Sequence, residues 1–382
     1  MPADVLSSVL HDLRVAGTVC ARFRGRGTWA VHYPSGPAAS FHLVTEGACQ
    51  LRLLAPPARA GGPSTCPGGD PGPQAAGGVP YNLAAGDFVV LPHGAAHTLH
   101  AAGMAGAAPA VSIADAVRRA DARGLVSLGD HGADAAAGAP DGAGLAATSY
   151  VCGAFEFAAR RPHPAVAALP PVLLVRGGAG GGDGREADGA LGPWLPVHLA
   201  AATCEAAAGR PGAEVVLARL SDVLFVHAIR AYLADAPAGA GGWVGALRDP
   251  AVARALALLH AHPEHDWTVA GVARAVAMSR SRFAARFTAL VGQPPLGYLA
   301  DWRMRRAEAW LADDGVPVGE VAARLGYRSE AAFRHAFRRR VGAPPGAVRR
   351  RGARGMAGLP AAPTPALAYF GDVVSPQHAV SG

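Results

Sequence analysis

A stretch written twice limits what the C-terminal part of this chain can fold into. Val272 to Pro295 reads VARAVAMSRSRFAARFTALVGQPP, and Val321 to Pro345 reads VAARLGYRSEAAFRHAFRRRVGAPP. From Ser279 onward the copies match at an offset of 50, pairing Ser279 with Ser329, Phe283 with Phe333, Phe287 with Phe337, Gly292 with Gly342 and Pro295 with Pro345. Upstream the offset is 49, which sets Val272 against Val321 and Ala277 against Gly326, so the turn inside the repeat differs by one residue. Repetition at this scale predicts one supersecondary unit built twice.

Each copy reads as two helices joined by a tight turn. In the first, 268–276 is the supporting helix, Ala277-Met278 the turn, and Ser279 the cap of a second helix whose Phe283 and Phe287, four apart, face inward together. Gly292 stands where a left-handed cap is preferred, and Pro294-Pro295 prevents continuation. The second copy repeats this with 317–325, the turn Gly326-Tyr327-Arg328, the cap Ser329, Phe333 and Phe337 inward, Gly342 and Pro344-Pro345. Ala277 stands opposite Gly326 in the repeat.

With the phenylalanines defining the buried side, Ser281, Arg282, Ala285 and Thr288 lie on the opposite face of the first copy, with Arg286 flanking. The equivalent face of the second carries Ala331, Ala332, His335, Arg338 and Arg339, with Arg334 beside it. Short or hydrogen-bonding side chains and guanidinium groups can enter a major groove and bond base edges or phosphates. A supporting helix with an exposed polar helix is the helix-turn-helix arrangement. Leu296 to Ala312 joins the copies, 17 residues, or about 25 Å if helical. With the width of the units added, that is comparable with the roughly 34 Å between major-groove faces on one side of B-DNA.

Charge sits in the same place. All 35 basic residues are Arg, a bias that tempers arguments from their number. Residues 249–354 hold 18 of them against 9 acids, whereas residues 1–248 are near balance, with 17 against 18. The net charge of +7 therefore arises in the repeat-bearing segment, as a polyanion-binding module requires; a solvated basic face without a partner is the other reading. Asp249-Pro250 opens this segment as N-cap and first helical residue.

The first hundred residues are different, with short apolar runs separated by turn residues, which predicts a small antiparallel β-barrel or sandwich. Gly86-Asp87-Phe88-Val89-Val90-Leu91-Pro92-His93-Gly94-Ala95-Ala96-His97 fits G-x5-P-x-G-x2-H, and Ser40 to Gly47 fits H-x-H-x3-E with Ser40 in place of the first His. Both resemble the two motifs of a cupin barrel. That resemblance implies a ligand-binding mouth at His42, Glu46, His93 and His97. His42, Glu46 and His97 would stand at three of the four metal-binding positions. Two His and a carboxylate can ligate a divalent ion; the favoured reading is that these residues pack the mouth or contact an organic ligand, with no metal and no cofactor.

The Gly- and Pro-rich segments 56–80 and 101–144 read as mobile loops, interrupted by a short helix at 112–123. Further on, helices are predicted from His163 to Leu169, Trp194 to Ala208 and Ala213 to Ala234. In the last, Val216, Leu217, Leu220, Leu224 and Ile229 recur at helical spacing, an apolar stripe for intramolecular core or for a dimer interface. The five cysteines show no C-x-x-C spacing, so no zinc or redox motif follows. The N-terminus lacks a signal-like pattern and no run is long enough to span a membrane, which makes cytoplasm the expected location.

Residues 252–350 resemble the DNA-binding domain of the AraC/XylS family of bacterial transcription regulators. The carrying residues are Trp267-Thr268-Val269, Ser279-Arg280-Ser281-x-Phe283, Phe287, Gly292-x-Pro294-Pro295, Tyr298-Leu299, Trp302-Arg303-Met304, Ala307 and Gly326-Tyr327-x-Ser329-Glu330-x-x-Phe333-x-x-Ala336-Phe337. Two residues depart from the family pattern: Ala277 stands where the family often has Gly in the first turn, where a left-handed backbone would cost a side chain on the order of 1 kcal/mol, and Ala347-Val348 replaces the more usual aromatic near the end of the second unit. The cupin-like half is similar to the sensor half of one branch of that family.

The expected architecture is thus α+β: a cupin-like ligand-sensing domain at 1–175, a helical linker or dimerisation region at 193–236, a DNA-binding domain with two helix-turn-helix units at 249–351 and a disordered tail at 352–382. The DNA-contacting set is Ser279, Arg280, Ser281, Arg282, Ala285, Arg286, Arg303, Arg328, Ser329, Arg334, His335, Arg338 and Arg339, with Arg306 and Arg349 as further phosphate contacts. Double-stranded DNA and a small-molecule effector are the expected partners, RNA polymerase a further candidate, and the protein a homodimer rather than an enzyme. Two alternatives stay open: a metal-dependent cupin enzyme with a helical appendage, and a DNA-binding protein without effector.

Overall fold

The computed structural model describes residues 5–13, 16–54, 80–103, 110–121, 124–129, 147–156, 164–177, 194–236, 241–312 and 316–350. The expectations for 56–79, for most of 101–144 and for the tail fall outside these residues. The chain begins with α1 (Val5–Leu13), β1 (Ala16–Arg26), β2 (Ala30–Tyr33), β3 (Ala39–Glu46), β4 (Ala48–Leu53), β5 (Tyr81–Ala84), β6 (Phe88–Leu91) and β7 (His97–Ala101). It continues through β8 (Val111–Ser112), α2 (Ile113–Arg118), β9 (Leu125–Gly129), β10 (Thr148–Glu156), α3 (Pro164–Ala167), β11 (Leu173–Val175), α4 (Trp194–Ala208) and α5 (Ala213–Asp235). The last helices are α6 (Gly242–Arg248), α7 (Pro250–Ala261), α8 (Val269–Ala275), α9 (Arg280–Val291), α10 (Pro295–Ala312), α11 (Val318–Arg324) and α12 (Glu330–Val341).

These elements form two compact units. In the first, residues 16–156 and 170–234, the strands make a six-stranded sheet in the order β11-β6-β3-β10-β1-β9 and a five-stranded sheet in the order β5-β4-β7-β2-β8. Neighbours run antiparallel except β1 with β9 and β2 with β8. Phe23, Val44 and Tyr150 of one sheet share a core with Val31, Tyr33, Leu51 and Leu99 of the other, the closed apolar interior expected of a barrel.

The six-stranded sheet is covered on its outer face as well. Residues 39–44 of β3 and all four residues of β6 are buried, the pattern of strands enclosed on both sides. Phe41, Leu43 and Phe88 meet Ala202 of α4 and Leu217 and Leu224 of α5 across a narrow apolar seam, and Phe155 packs on Phe225 at 4.9 Å. The Asp222 carboxylate accepts from the Gly17 amide at 2.6 Å, and Arg22 donates to the Ala206 carbonyl near the end of α4 at 3.2 Å. One stripe of the helical hairpin is therefore intramolecular core, while Val215, Val216 and Val223 stay exposed.

The second unit holds residues 5–13, 164–169 and 235–350. It has two cores strung on one helix. Phe283 and Phe287 pack with Tyr298 and Leu299 from the start of α10; Phe333 and Phe337 pack with Met304, Ala307 and Leu311 from its later turns. Trp302, fully buried between these sets, stacks on His260 of α7 at 3.7 Å. Although the sequence assigns 1–175 to the cupin-like domain, Val5 and Val9 of α1 and Val166 of α3 lie in the core with Val252, Leu256 and Leu259 of α7.

The two turns of the repeat differ as their sequences do. Ala277 is left-handed at φ 56, the one non-glycine residue with positive φ among those described, and Gly326 has φ 74. A Cβ on Gly326 would lie 2.0 Å from the Glu264 carbonyl oxygen, a clash added to the conformational cost. Ala277→Gly is expected to stabilise the protein by about 1 kcal/mol. Gly326→Ala is expected to destabilise it by more than that, and denaturant unfolding of both variants measures the contrast.

Candidate nucleic-acid interface

The helix pairs α8–α9 and α11–α12 are set by local rules visible in their sequences. Thr268 Oγ1 accepts from the Gly271 amide at 3.0 Å and Ser329 Oγ from the Ala332 amide at 3.1 Å, each satisfying an orphan donor at a helix start. Ser279 caps α9 through its backbone alone, its side chain making no cap bond. Gly292 and Gly342 end α9 and α12 in the left-handed conformation. Burial of Phe283, Phe287, Phe333 and Phe337 to 0% exposure fixes the rotation of both helices.

The opposite faces are exposed. Ser281, Arg282 and Ala285 on α9, and His335, Arg338 and Arg339 on α12, all lie in solvent, as do Ser279, Arg280, Arg328 and Ser329 around the helix starts. Among the described residues, no hydrogen bond or ion pair engages the guanidinium groups of Arg280, Arg282, Arg328, Arg338 and Arg339. Arg349, in the short helical segment 345–350 after α12, is exposed as well. Six arginines at or near these faces have internal partners. Arg334 is bonded to Glu330 one turn back at 2.5 and 2.7 Å, and Arg324 pairs with Glu320 in the same way. Arg340 reaches Asp301 of α10. Arg306 lies over the Trp310 ring at 5.1 Å.

Arg286 and Arg303, expected at phosphate, are tied inward. Arg286 makes a two-nitrogen pair with Asp249, and Arg303 donates to the carbonyls of Pro263 and His265 at 2.5 and 2.9 Å. Asp249 also accepts from the amides of Ala251 and Val252 at 3.0 and 2.9 Å, so one carboxylate caps α7 and anchors α9. Its role as cap was legible in Asp249-Pro250; its pairing across 37 residues was not, because nothing local signals it. Burial alone would raise the Asp249 carboxyl, but the amide donors and the Arg286 guanidinium hold it below the usual carboxylate range.

The cupin-like motif residues part company in the barrel. His42 and His97 face each other inside it, their Nε2 atoms 2.8 Å apart, with the Tyr33 ring stacked on His97 at 4.7 Å and its hydroxyl 3.1 Å from that of Tyr150. His97 Nδ1 lies 2.8 Å from the Ala95 carbonyl and must donate to it, so His97 Nε2 accepts and His42 Nε2 donates. Burial pushes His97 down to about 4 and His42 well below its ordinary value, which keeps both neutral at physiological pH.

Glu46 is not with them. The register of β3 on β10 slips between Val44↔Tyr150 and Glu46↔Ser149, leaving Thr45 as an extra residue. Such a bulge reverses the side on which later residues fall, and Glu46 emerges exposed, accepting from Ser149 at 3.0 Å. His93 is exposed in the turn after β6. Among the described residues, no three His, Cys, Asp or Glu side chains are grouped to hold a metal ion. Tyr33 and Tyr150, which complete the polar cluster, were missed in the sequence because they stand outside both motifs.

The chain matches a cupin family over residues 4–234 and a helix-turn-helix domain family over residues 272–351. It is 31% identical over 347 residues to a putative AraC-like transcription regulator of Streptomyces antibioticus, covering 91% of this chain and 98% of that one. A counterpart in Streptomyces lividans is 32% identical over 350 residues, covering 91% and 98%. The HTH-type transcriptional regulator AlkR of Acinetobacter baylyi is 28% identical over 347 residues, covering 88% and 95%. A cupin domain followed by exposed polar helices on a helix-turn-helix frame defines a DNA-binding transcription regulator. The chain belongs to the AraC-like transcription regulators. Among the described residues, no helix is long and apolar enough to cross a membrane.

Asp249→Ala should cost about 2 kcal/mol of stability, from the lost cap and the lost partner of Arg286. Because the folded carboxyl titrates below the unfolded value of about 3.9, its stabilisation is present above that pH and is lost as pH falls. The difference between parent and variant in denaturant unfolding should shrink correspondingly in acid.

Proposed function

We propose that α9 and α12 each enter a major groove of one DNA site, α10 spacing them so that a single chain reads two successive turns of the duplex. The observation that carries this is the pair of matched exposed faces on helices whose rotation is locked by buried phenylalanines. Ser281, Arg282 and Ala285 of the first face, and His335, Arg338 and Arg339 of the second, meet base edges or phosphates. Ser279, Arg280, Arg328 and Ser329 lie at the helix starts, where amide groups and the dipole favour phosphate. The Ser279 hydroxyl, free of a cap bond, is available for the same contact.

In this reading Arg286 and Arg303 position the reading helices, and Arg334 approaches DNA with its charge partly answered by Glu330. The α10 helix of 18 residues is about 27 Å long, which suits adjacent grooves. The cupin domain gives control by a small-molecule effector, and the exposed valines of α5 suit homodimer formation. The setting is the cytoplasm, with RNA polymerase a further partner. No catalytic role is assigned to the barrel, since the motif carboxylate lies outside it.

Affinity for a cognate fragment, found by genomic binding-site mapping of the intact protein, is expected to fall steeply with salt as phosphate-bound counterions are released. An Arg282→Ala, Arg338→Ala double variant should bind at least tenfold more weakly, at about 1–3 kcal/mol for each specific base contact removed. Undiminished binding by that variant, or affinity independent of salt, would contradict the proposal.

A further inference from the structure

The hairpin of α4 and α5 carries a second histidine pair, away from the barrel motifs. His198 Nδ1 and His227 Nε2 lie 3.2 Å apart. His227 is 7% exposed, and its other ring nitrogen, Nδ1, is buried without a hydrogen-bond partner. His198 is half-buried. Helix packing does not require this: apolar residues elsewhere in the hairpin already hold it to the sheet.

Ring geometry separates the two pairs. A straight N–H···N bond places imidazole centroids apart by the nitrogen separation plus about 2.3 Å. The barrel pair, at 2.8 Å between nitrogens and 5.0 Å between centroids, is close to that. The hairpin pair would need about 5.5 Å on the same basis, but its centroids are 5.2 Å apart, so its N–H···N bond is bent. Two imidazoles bound to one ion at about 2.0–2.1 Å, with a bond angle between 90° and tetrahedral, put their nitrogens about 2.8–3.4 Å apart. The observed 3.2 Å falls in that range.

We propose that His198 and His227 form a two-histidine chelate for a divalent late first-row transition ion, Zn²⁺ or a neighbour of similar ligand preference, clamping α4 to α5. Imidazole suits these ions, and water would complete the coordination beside the half-buried His198. Ligation uses the lone pairs of both facing nitrogens, so the proton of their hydrogen bond moves to the outer nitrogen of the ring that carries it. The Arg230 charge acts on His227 and sets a limit on affinity. The site is distinct from the barrel positions and does not depend on DNA binding.

The test uses the intact chain, stripped with chelator and titrated with Zn²⁺ at neutral pH. One ion per chain, a thermal midpoint that rises with Zn²⁺, and at least tenfold weaker binding in both His198→Gln and His227→Gln support the site. His198 is half-exposed, so His198→Gln should match the parent's metal-free midpoint. If either variant fails to fold, carbethoxylation of His198 in the parent chain decides, with Zn²⁺ slowing the reaction if the chelate exists. Full-affinity binding in His198→Gln, no ion bound, or modification of His198 unaffected by Zn²⁺ would overturn the proposal.

Discussion

The burial of two phenylalanines one turn apart, made twice, is the constraint on which the DNA-binding unit depends. A helix rotated by a single residue would bring guanidinium groups toward an apolar interior and expose the rings, and the cost of burying an unpaired charge excludes it. Phe283 with Phe287 and Phe333 with Phe337 therefore decide which side chains meet solvent, and every polar group on the opposite faces of α9 and α12 inherits its direction from them. The ion pair of Arg286 with Asp249 adds a lateral tie, and α10 holds both assemblies by contributing Tyr298 and Leu299 to one and Met304, Ala307 and Leu311 to the other.

Much of this unit was legible in the sequence because its determinants are local. Caps at Thr268 and Ser329, left-handed stops at Gly292 and Gly342 and the four-residue phenylalanine spacing all act within one or two turns, and each is found as read. Ala277 is instructive: its left-handed backbone could be inferred only by matching it to Gly326, since nothing in its own chemistry demands that conformation. The partners of Arg286 and Arg303 were illegible. Both are tertiary contacts spanning some forty residues or fewer of chain, and composition marks an arginine as basic without saying which carbonyl or carboxylate it will find.

The barrel shows the opposite balance. Two motifs identify its strands, but the motif logic assumes that residues two or four apart share a face. One inserted residue at Thr45 breaks that assumption, turning Glu46 out while His42 stays in. The interior is then completed by Tyr33 and Tyr150, residues whose contribution is aromatic packing joined to a hydroxyl pair. Desolvation makes the cluster neutral, and the tautomers follow from a single carbonyl, that of Ala95, which compels His97 to donate.

The position of α1 and α3 bears on the order in which this protein comes into being. Val5 and Val9 leave the ribosome well before the helices they cover, and Val166 follows after most of the barrel strands. The unit that carries α9 and α12 thus cannot close its apolar interior until α7 emerges, and α1 must stay undocked through synthesis of more than two hundred intervening residues. Early-made residues complete the late-made unit, so a nascent chain halted after the barrel would display the apolar side of α1 to its surroundings.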